Sequence, residues 1–251
     1  MDGRPIMIIK TVLISLLMLA ALAAAGQPRQ PPAPAPSATA APPVAAYTPL
    51  SKQATDRLLD QISNRLGVVR SFQSVFVQER HLAIFEDVLT GKGFCFFEAP
   101  DKFRWELAEP YVSVLIFNRN EVGKFEFKDR KLGAIDTGAG KAMSELLGQM
   151  THLMRGDFKA SQEAFTVSAL QGKDTRIDLT PRIKALGEYI RAIELTLDPK
   201  TYQVFKIIIR EPEGDFIQIV FSDVRENVPF ARALFDTKNP SLTNAGPGRK
   251  G

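Results

Sequence analysis

Residues 93–107 constrain the fold more than any other stretch of the sequence. They predict two antiparallel strands joined by a short turn. In the second strand the large apolar residues Phe103, Trp105 and Leu107 alternate with charged residues. Because alternate side chains of a strand lie on the same side of the sheet, one face is apolar and the other is charged. The apolar face therefore needs a large apolar partner, which is either the protein's own core or a lipid.

The rest of the chain predicts more strands of the same kind and two helices. Amphipathic spacing predicts helices over residues 51–69 and 141–155. Ten or eleven strands at short spacing indicate an antiparallel meander. Besides the strand that begins at Phe103, they are predicted at 71–80, 88–97, 112–117, 122–128, 132–135, 165–170, 176–180, 190–197, 204–210 and 216–221.

A sheet of this width cannot stay flat, because strand twist accumulates from one strand to the next. We therefore predict a mainly β (α+β) fold, an incomplete antiparallel β-barrel of about 11 strands. The helices are expected to cover its concave apolar face. The space beneath them is either packed solid or left as an apolar pocket.

Apolar side chains on these strands and on the second helix are the candidates for contact with a lipid. Three methionines in that helix indicate a face that adapts to variable ligands, and an ordinary core helix is the alternative. The candidate lipid-binding residues are Phe94, Phe96, Phe103, Trp105, Leu107, Phe125, Phe127, Met143, Leu147, Met150 and Met154.

The two ends of the chain have the composition of segments outside a folded domain. Residues 1–25 have the basic start, short apolar run and alanine-rich end of a cleaved secretory signal peptide. An uncleaved membrane anchor is the alternative, since residues 6–25 are just long enough to span a bilayer. Residues 26–49 are mostly Pro and Ala and predict a disordered linker. The folded domain is predicted at 50–236, and the polar residues 237–251 predict a disordered tail.

Motifs that could carry catalysis or bind a metal are weak in this sequence. Residues 136–139 read Asp-Thr-Gly-Ala, a short aspartic protease signature, but the chain holds no second copy to complete the pair of carboxylates. Residues 138–141 lack the first glycine and the final Ser or Thr of a phosphate-binding loop. His81 and His152 have no metal-site spacing. We therefore expect no enzyme activity, no cofactor and no metal site.

Charge and cysteine content narrow the partners. Cys95 is the only cysteine, so no internal disulfide can form, and its place in a strand predicts a buried thiol. The formal charge of +4 comes from scattered residues, among them Lys102, Arg104 and Lys128, that are predicted on outer faces. A solvated surface is the expectation, with weak attraction to anionic lipid head groups or acidic partners still open. Nucleic acid is not an expected partner of an exported protein.

Several segments together resemble the LolA family of periplasmic outer-membrane lipoprotein carriers. The most specific is Pro-Asp-Lys-Phe-Arg-Trp at residues 100–105, followed by Glu109 and Pro110. The other segments are Ser-Phe-Gln-Ser-Val-Phe-Val-Gln at 71–78, Gly-Lys-Gly-Phe-Cys-Phe at 91–96, and Phe-Ser-Asp-Val at 221–224 with the residues up to 235. The resemblance covers most of residues 51–236.

The resemblance implies a periplasmic carrier whose apolar cavity shields the acyl chains of lipoproteins. Phe103 and Trp105 match family positions that line the cavity. The implied partners are an inner-membrane ABC release complex, an outer-membrane receptor lipoprotein and the acylated cargo, and we expect the carrier to be a monomer. The absence of a cysteine after the signal favours the soluble carrier over the receptor. Typical carriers have an Arg before the Pro of this motif, which helps to latch the lid. Here that residue is Ala99, so the latch is absent or replaced by Arg104.

Three functional hypotheses follow. The first is a carrier of lipoproteins or a related lipid: shielding about a dozen methylenes is favourable by on the order of 10 kcal/mol. The second is a sensor or regulatory module that binds a lipoprotein or a partner protein without transport. The third is an aspartic hydrolase built on Asp136.

Overall fold

The computed structural model describes residues 47–85, 87–135 and 140–243. The predicted signal peptide, nearly all of the predicted linker and the Asp136 motif lie outside these residues. The helices are α1 (Lys52–Leu66), α2 (Gly140–Met154), α3 (Phe158–Ser161) and α4 (Lys184–Gly187), with a 3₁₀ helix at Arg232–Phe235. The strands are β1 (Thr48–Pro49), β2 (Ser71–His81), β3 (Leu89–Glu98), β4 (Lys102–Glu109), β5 (Ser113–Asn118), β6 (Glu121–Lys128), β7 (Lys131–Ala134), β8 (Phe165–Gln171), β9 (Thr175–Pro181), β10 (Ala192–Leu197), β11 (Val204–Arg210) and β12 (Phe216–Glu226).

All twelve strands of the described residues form one antiparallel sheet, in the order β1-β8-β9-β10-β11-β12-β2-β3-β4-β5-β6-β7. The sheet is open, with β1 and β7 at its edges. The pairing of β12 with β2 joins the end of the folded chain to its beginning. The predicted incomplete barrel with covering helices is confirmed. Strand β1 was counted in the linker, but it pairs with β8 and so belongs to the sheet.

Helix α1 lies on one half of the concave face. It begins after Ser51, whose hydroxyl caps the helix by accepting a hydrogen bond from the Ala54 amide at 3.3 Å. Its buried residues, Leu58, Leu59, Ile62 and Leu66 among them, recur at helical spacing and form one apolar stripe. This stripe packs with Phe158 of α3 against the apolar side chains of β8, β9 and β10. The predicted amphipathic helix therefore lies on the sheet as expected.

Helix α2 covers the other half of the concave face. Its Leu147 is fully buried in a cluster with side chains from β2, β4, β5 and β12. The chain leaves α2 at Gly156, whose backbone has φ +69°. A Cβ there would lie 3.1 Å from Leu66 and 3.3 Å from Ile62 of α1, so a glycine lets the two helices approach each other closely. Together, α1 and α2 roof the concave face.

The convex face carries a second core that the sequence pattern did not predict. Phe94, Phe96 and Phe125 are buried there with Phe235 and with other residues of the C-terminal segment. This segment, residues 228–243, follows β12 and crosses the convex face. Asn118 donates to the Phe235 carbonyl at 3.1 Å, and Thr237 donates to Glu121 at 2.7 Å. We call residues 228–243 the C-terminal strap.

A buried ion pair fastens the strap to β4. Arg104 is fully buried, and its guanidinium donates to Glu106 at 3.0 Å, to the Leu234 carbonyl at 2.9 Å and to the Ser241 carbonyl at 2.6 Å. The Thr243 amide donates to Glu106 at 3.1 Å. The prediction that Arg104 lies on a solvated surface is therefore wrong, and so is the predicted disorder for residues 237–243. Single charged residues in a strand pattern do not reveal that another segment covers them.

Candidate functional site

An apolar cavity of about 170 Å³ lies between the concave face of the sheet and the two helices. Its walls come from β2, β4, β10, β11 and β12, and its roof comes from the ends of α1 and α2. An engineered protein cavity of about 150 Å³ with an apolar lining stays dry and binds benzene. The cavity is therefore large enough for an apolar group of about that size. The apolar lining residues are Leu66, Val69, Phe72, Phe103, Trp105, Met150, Leu153, Met154, Ile190, Ile193, Leu195, Val204, Ile207, Ile209, Ile219, Phe221 and Val224.

Stacked aromatic rings form the wall around Trp105. Its ring lies 3.8 Å from that of Phe76 at an interplanar angle of 23°, and 6.2 Å from Phe221 in an edge-on arrangement. Phe76 and Trp105 belong to β2 and β4, so the Phe76 ring must cross β3. It does so over Gly93, where a Cβ would lie 2.6 Å from the ring and 2.1 Å from the Glu106 carbonyl oxygen. Gly93 is thus what allows the aromatic wall to form, and the register of β3 against β4 shifts between Lys92 and Gly93.

The roof contributed by α2 is made of flexible side chains. Met150, Leu153 and Met154 reach the cavity from its last turns. Methionine is unbranched and adapts its shape to irregular neighbours. The other end of α2 is attached to the β5–β6 turn, where Ser144 donates to the Asn120 carbonyl at 3.1 Å. This arrangement places the adaptable residues at the end of α2 that faces the cavity and α1.

A polar cluster lies at the mouth of the cavity. Glu226 of β12 accepts hydrogen bonds from Arg65 of α1 at 2.8 Å and from Gln203, just before β11, at 2.9 Å. Burial alone would raise the pKa of Glu226, but the hydrogen bonds from Gln203 and Arg65 and the charge of Arg65 hold it below its usual value. Glu226 and Gln203 line the cavity, and the adjoining Leu66 of α1 does so too. The cluster therefore ties the end of α1 to the sheet beside the opening.

Arg104 does not replace the latch residue absent at Ala99. It faces the convex side of the sheet, where it binds the C-terminal strap, and the cavity lies on the other side. At the cavity mouth, Arg65 of α1 contacts Glu226 of the sheet.

The eleven predicted lipid-binding residues fall into five groups. Phe103, Trp105, Met150 and Met154 line the cavity. Leu107 and Leu147 are buried in the core cluster beside it. Phe127 is 38% exposed near the edge of the sheet. The side chain of Met143 lies outside the described part.

The remaining three, Phe94, Phe96 and Phe125, lie on the convex face beneath the strap, so their predicted place on the concave face is wrong. The reason is the strand register. Phe94 is directly opposite Glu106, and Phe96 is directly opposite Arg104. Residues directly opposite in an antiparallel pair share a face. Their side chains are thus on the charged side of β4, whereas Cys95 and Phe97 share the side of Trp105 and Phe103.

Sequence analysis missed the wall that β10, β11 and β12 contribute. Ile193, Ile207, Ile209, Ile219 and Phe221 all line the cavity. Their alternation with other residues is visible in the sequence and identifies a shared face of each strand. It does not show that these strands lie beside β2, because that depends on the pairing of β12 with β2.

The described residues show no sign of metal chemistry or of a membrane-spanning helix. No cluster of three or more His, Cys, Asp or Glu side chains in them could hold a metal ion. Nor does any of their helices have the length and apolar character needed to cross a bilayer. Cys95 is fully buried next to the aromatic wall, and burial raises the pKa of its thiol far above the ordinary value. It is therefore a neutral core side chain, as predicted.

An open antiparallel sheet that encloses an apolar cavity beneath two helices defines the class of this protein: a half-barrel of the binding or carrier type. More specifically, the chain belongs to the LolA family, because the model for "Outer membrane lipoprotein carrier protein LolA" matches residues 68–238, more than half of its length. Membership of this family supports a lipoprotein- or lipid-binding, carrier-type function. The recognition made from the sequence motifs is thus confirmed.

Several solved structures are similar to this chain at low sequence identity and low TM-score. The LolA superfamily protein NE2245 from Nitrosomonas europaea is 9% identical, with 71% of this chain and 97% of that chain covered and a TM-score of 0.38. The lipoprotein LppX from Mycobacterium tuberculosis is 11% identical, with 72% and 99% covered and a TM-score of 0.43. A chain of the MucA/MucB complex of Pseudomonas aeruginosa is 14% identical, with 71% of this chain and 60% of that chain covered and a TM-score of 0.39. No curated protein matches the sequence.

Proposed function

We propose that this protein shields the acyl chains of a lipoprotein, or of a related lipid, in the concave cavity and carries them from the inner to the outer membrane. The observation that carries the proposal is the cavity itself, which is lined almost entirely by apolar side chains from five strands and two helices. Water in such a cavity finds few hydrogen-bond partners, whereas an acyl chain gains about 0.8 kcal/mol for each methylene it buries. No catalytic group is required for this task.

The roof provides a way for cargo to enter. Because α2 roofs the cavity with Met150, Leu153 and Met154, we propose that loading moves α2 away from the sheet. Met150 and Met154 can follow chains of different shape, since their side chains lack branches. Because the cargo leaves water on loading, release requires an acceptor that is at least as apolar. We propose an inner-membrane ABC release complex as the donor and an outer-membrane receptor lipoprotein as the acceptor.

The proposed location is the periplasm. It is supported by the apolar run of residues 11–25, with its alanine-rich end, and by the family to which the chain belongs. We propose that residues 1–25 are a cleaved signal peptide.

Binding can be measured directly because Trp105, the only tryptophan of the chain, lines the cavity. A fatty acid brominated along its chain quenches a tryptophan that it contacts, so titration should quench Trp105 and saturate at one or two chains per protein. The Phe103→Glu variant should lose the quenching, because it places a charge in the apolar wall. Phe127→Glu is the matched control: Phe127 is an exposed phenylalanine away from the cavity, and its replacement should leave the titration unchanged.

A second variant keeps the test valid if Phe103→Glu does not fold. Ile207→Phe fills part of the cavity without adding charge and should weaken binding while the protein stays folded. Absence of quenching in the wild-type protein, or equal quenching in all variants, would refute a cavity-bound acyl chain.

Transport is then measured as release of a lipoprotein from inner-membrane vesicles and its delivery to outer-membrane vesicles. Binding without such delivery would favour the sensor hypothesis over the carrier.

A further inference from the structure

An apolar loop tip projects from one end of the sheet. Three of the seven large apolar side chains that are exposed in the described residues lie there: Ile84 is 84% exposed, Phe85 is 62% exposed and Val88 is 42% exposed. Scattered exposed apolar residues are normal on a protein surface, but a group of them on one loop marks a contact surface. We call Ile84, Phe85 and Val88 the apolar tip.

The neighbouring hairpin holds the apolar tip in place. The Ala83 amide donates to Asp215 of the β11–β12 turn at 2.8 Å. Beneath both loops the buried Arg80 pairs with Glu211 at 3.0 Å and with Asp215 at 3.8 Å. The Phe85 amide also donates to the Leu82 carbonyl at 3.0 Å, which closes a turn. These bonds fix the loop backbone from Ala83 to Phe85 and so lower the conformational entropy lost there when a partner covers Ile84 and Phe85.

The exposed charged residues on the two loops at the apolar tip are acidic. Glu213 and Asp87 are exposed beside it, and Glu211 and Asp215 are half-buried at its base. The sequence holds no Lys or Arg in residues 82–88 or 211–215. Arg80 offsets only one of the carboxylates. An anionic bilayer surface would be repelled by this rim, whereas a cationic surface would be attracted to it.

We propose that the apolar tip with its acidic rim is a docking surface for a cationic amphipathic segment of a partner protein. The partner's apolar side chains would cover Ile84 and Phe85, and its Lys or Arg residues would face Glu213 and Asp87. Three side chains are fewer than a permanent interface needs, so the contact is transient. The tip lies at the His81 and Phe216 ends of β2 and β12, whereas Glu226 at the cavity mouth pairs with Phe72 at their other ends. The inference therefore does not depend on what the cavity holds.

The test measures binding of a fluorescent synthetic helix built from leucine and lysine to the full-length mature protein, by anisotropy and by amide NMR shifts. We expect the shifts to centre on residues 82–88. Ile84→Ser and Phe85→Ser should each weaken binding by about tenfold. Ile183→Ser is the matched control, because Ile183 is another exposed isoleucine, at 51%, in a different part of the fold, and it should have no effect. Glu213→Lys with Asp87→Lys should slow association and remove most of its dependence on salt.

Three results would overturn the proposal. Equal binding of the peptide to all variants would mean that it binds elsewhere, including the cavity. Phe85-dependent binding to phosphatidylglycerol vesicles that is as tight as peptide binding would make the occupant a membrane. A dimer in sedimentation that Phe85→Ser dissociates would make the occupant a second copy of this chain.

Discussion

Replacing Arg104 by leucine removes the positive half of the ion pair that fastens the C-terminal strap to the sheet. Glu106 then keeps only the amide of Thr243 as a partner, and the carbonyls of Leu234 and Ser241 lose their donor. Arg104 is completely buried and Glu106 is 3% exposed, so solvent does not screen the remaining charge. Breaking a buried pair from one side costs about 3–5 kcal/mol.

Part of this cost is avoided if the strap detaches, because water can then reach Glu106. Detachment in turn exposes the apolar side chains of Phe94, Phe96 and Phe125, so neither state of the variant escapes a penalty. We therefore expect Arg104→Leu to lower the free energy of unfolding by about 4 kcal/mol. With a urea m-value of about 2 kcal/mol per molar, the midpoint falls by about 2 M.

The assay is urea denaturation followed by Trp105 fluorescence, and the control is the double variant Arg104→Leu/Glu106→Leu. It removes both charges, so it should recover most of the lost stability. Both variants should still bind the brominated fatty acid without urea, since the pair lies on the face opposite the cavity. A loss below about 1 kcal/mol in the single variant, or a double variant no more stable than the single one, would refute the account.

Three further predictions concern the cavity. Gly93→Ala should lower the free energy of unfolding by about 1–3 kcal/mol and shift the Trp105 fluorescence emission, because the new Cβ displaces the Phe76 ring. The control Gly133→Ala should not shift the emission, because a Cβ has space there. Glu226→Gln should speed exchange of bound fatty acid, because it weakens the tie between Arg65 and β12. In the wild-type protein the pKa of Glu226 is lowered, so its ion pair with Arg65 is fully present above the ordinary glutamate pKa. The ion pair is lost, and exchange becomes faster, as the pH falls through the lowered pKa. An exchange rate that does not depend on pH would contradict this. Cys95 should not react with a thiol reagent at mildly alkaline pH until the protein unfolds, since burial raises its pKa; rapid reaction of the native protein would show that the site is open.

Local patterns in the sequence were sufficient for α1, α2, the strands β2 to β12 and the fold class, but not for β1, α3 and α4. Alternation of apolar and polar residues located the strands to within a few residues, because each strand side is defined by every second side chain. The stripe of Leu58, Ile62 and Leu66 located α1, and the apolar spacing around Leu147 located α2. The width of the sheet then required it to curl, as the structure confirms.

The candidate site was predicted only in part, because the face of a residue within one strand follows from alternation, whereas the face of a neighbouring strand follows from the pairing register. Phe103 and Trp105 lie in one strand, and their shared face follows from alternation alone. Phe94 and Phe96 lie in the next strand, and their face depends on which residues they oppose. The register places Phe94 opposite Glu106 and Phe96 opposite Arg104. A shift of the register by one residue would place both phenylalanines on the other face of the sheet.

By itself, the sequence determined the strands, the helices, the apolar face of β4 and the membership of a family. Only the tertiary structure decided which faces became the inside. The pairing of β12 with β2 completes the cavity wall, and the strap turns the charged side of β4 into a second core. The physical reason is that local pattern depends on residues a few positions apart. The cavity and the buried Arg104, in contrast, depend on segments that are more than a hundred residues apart in the chain and meet only when the sheet curls.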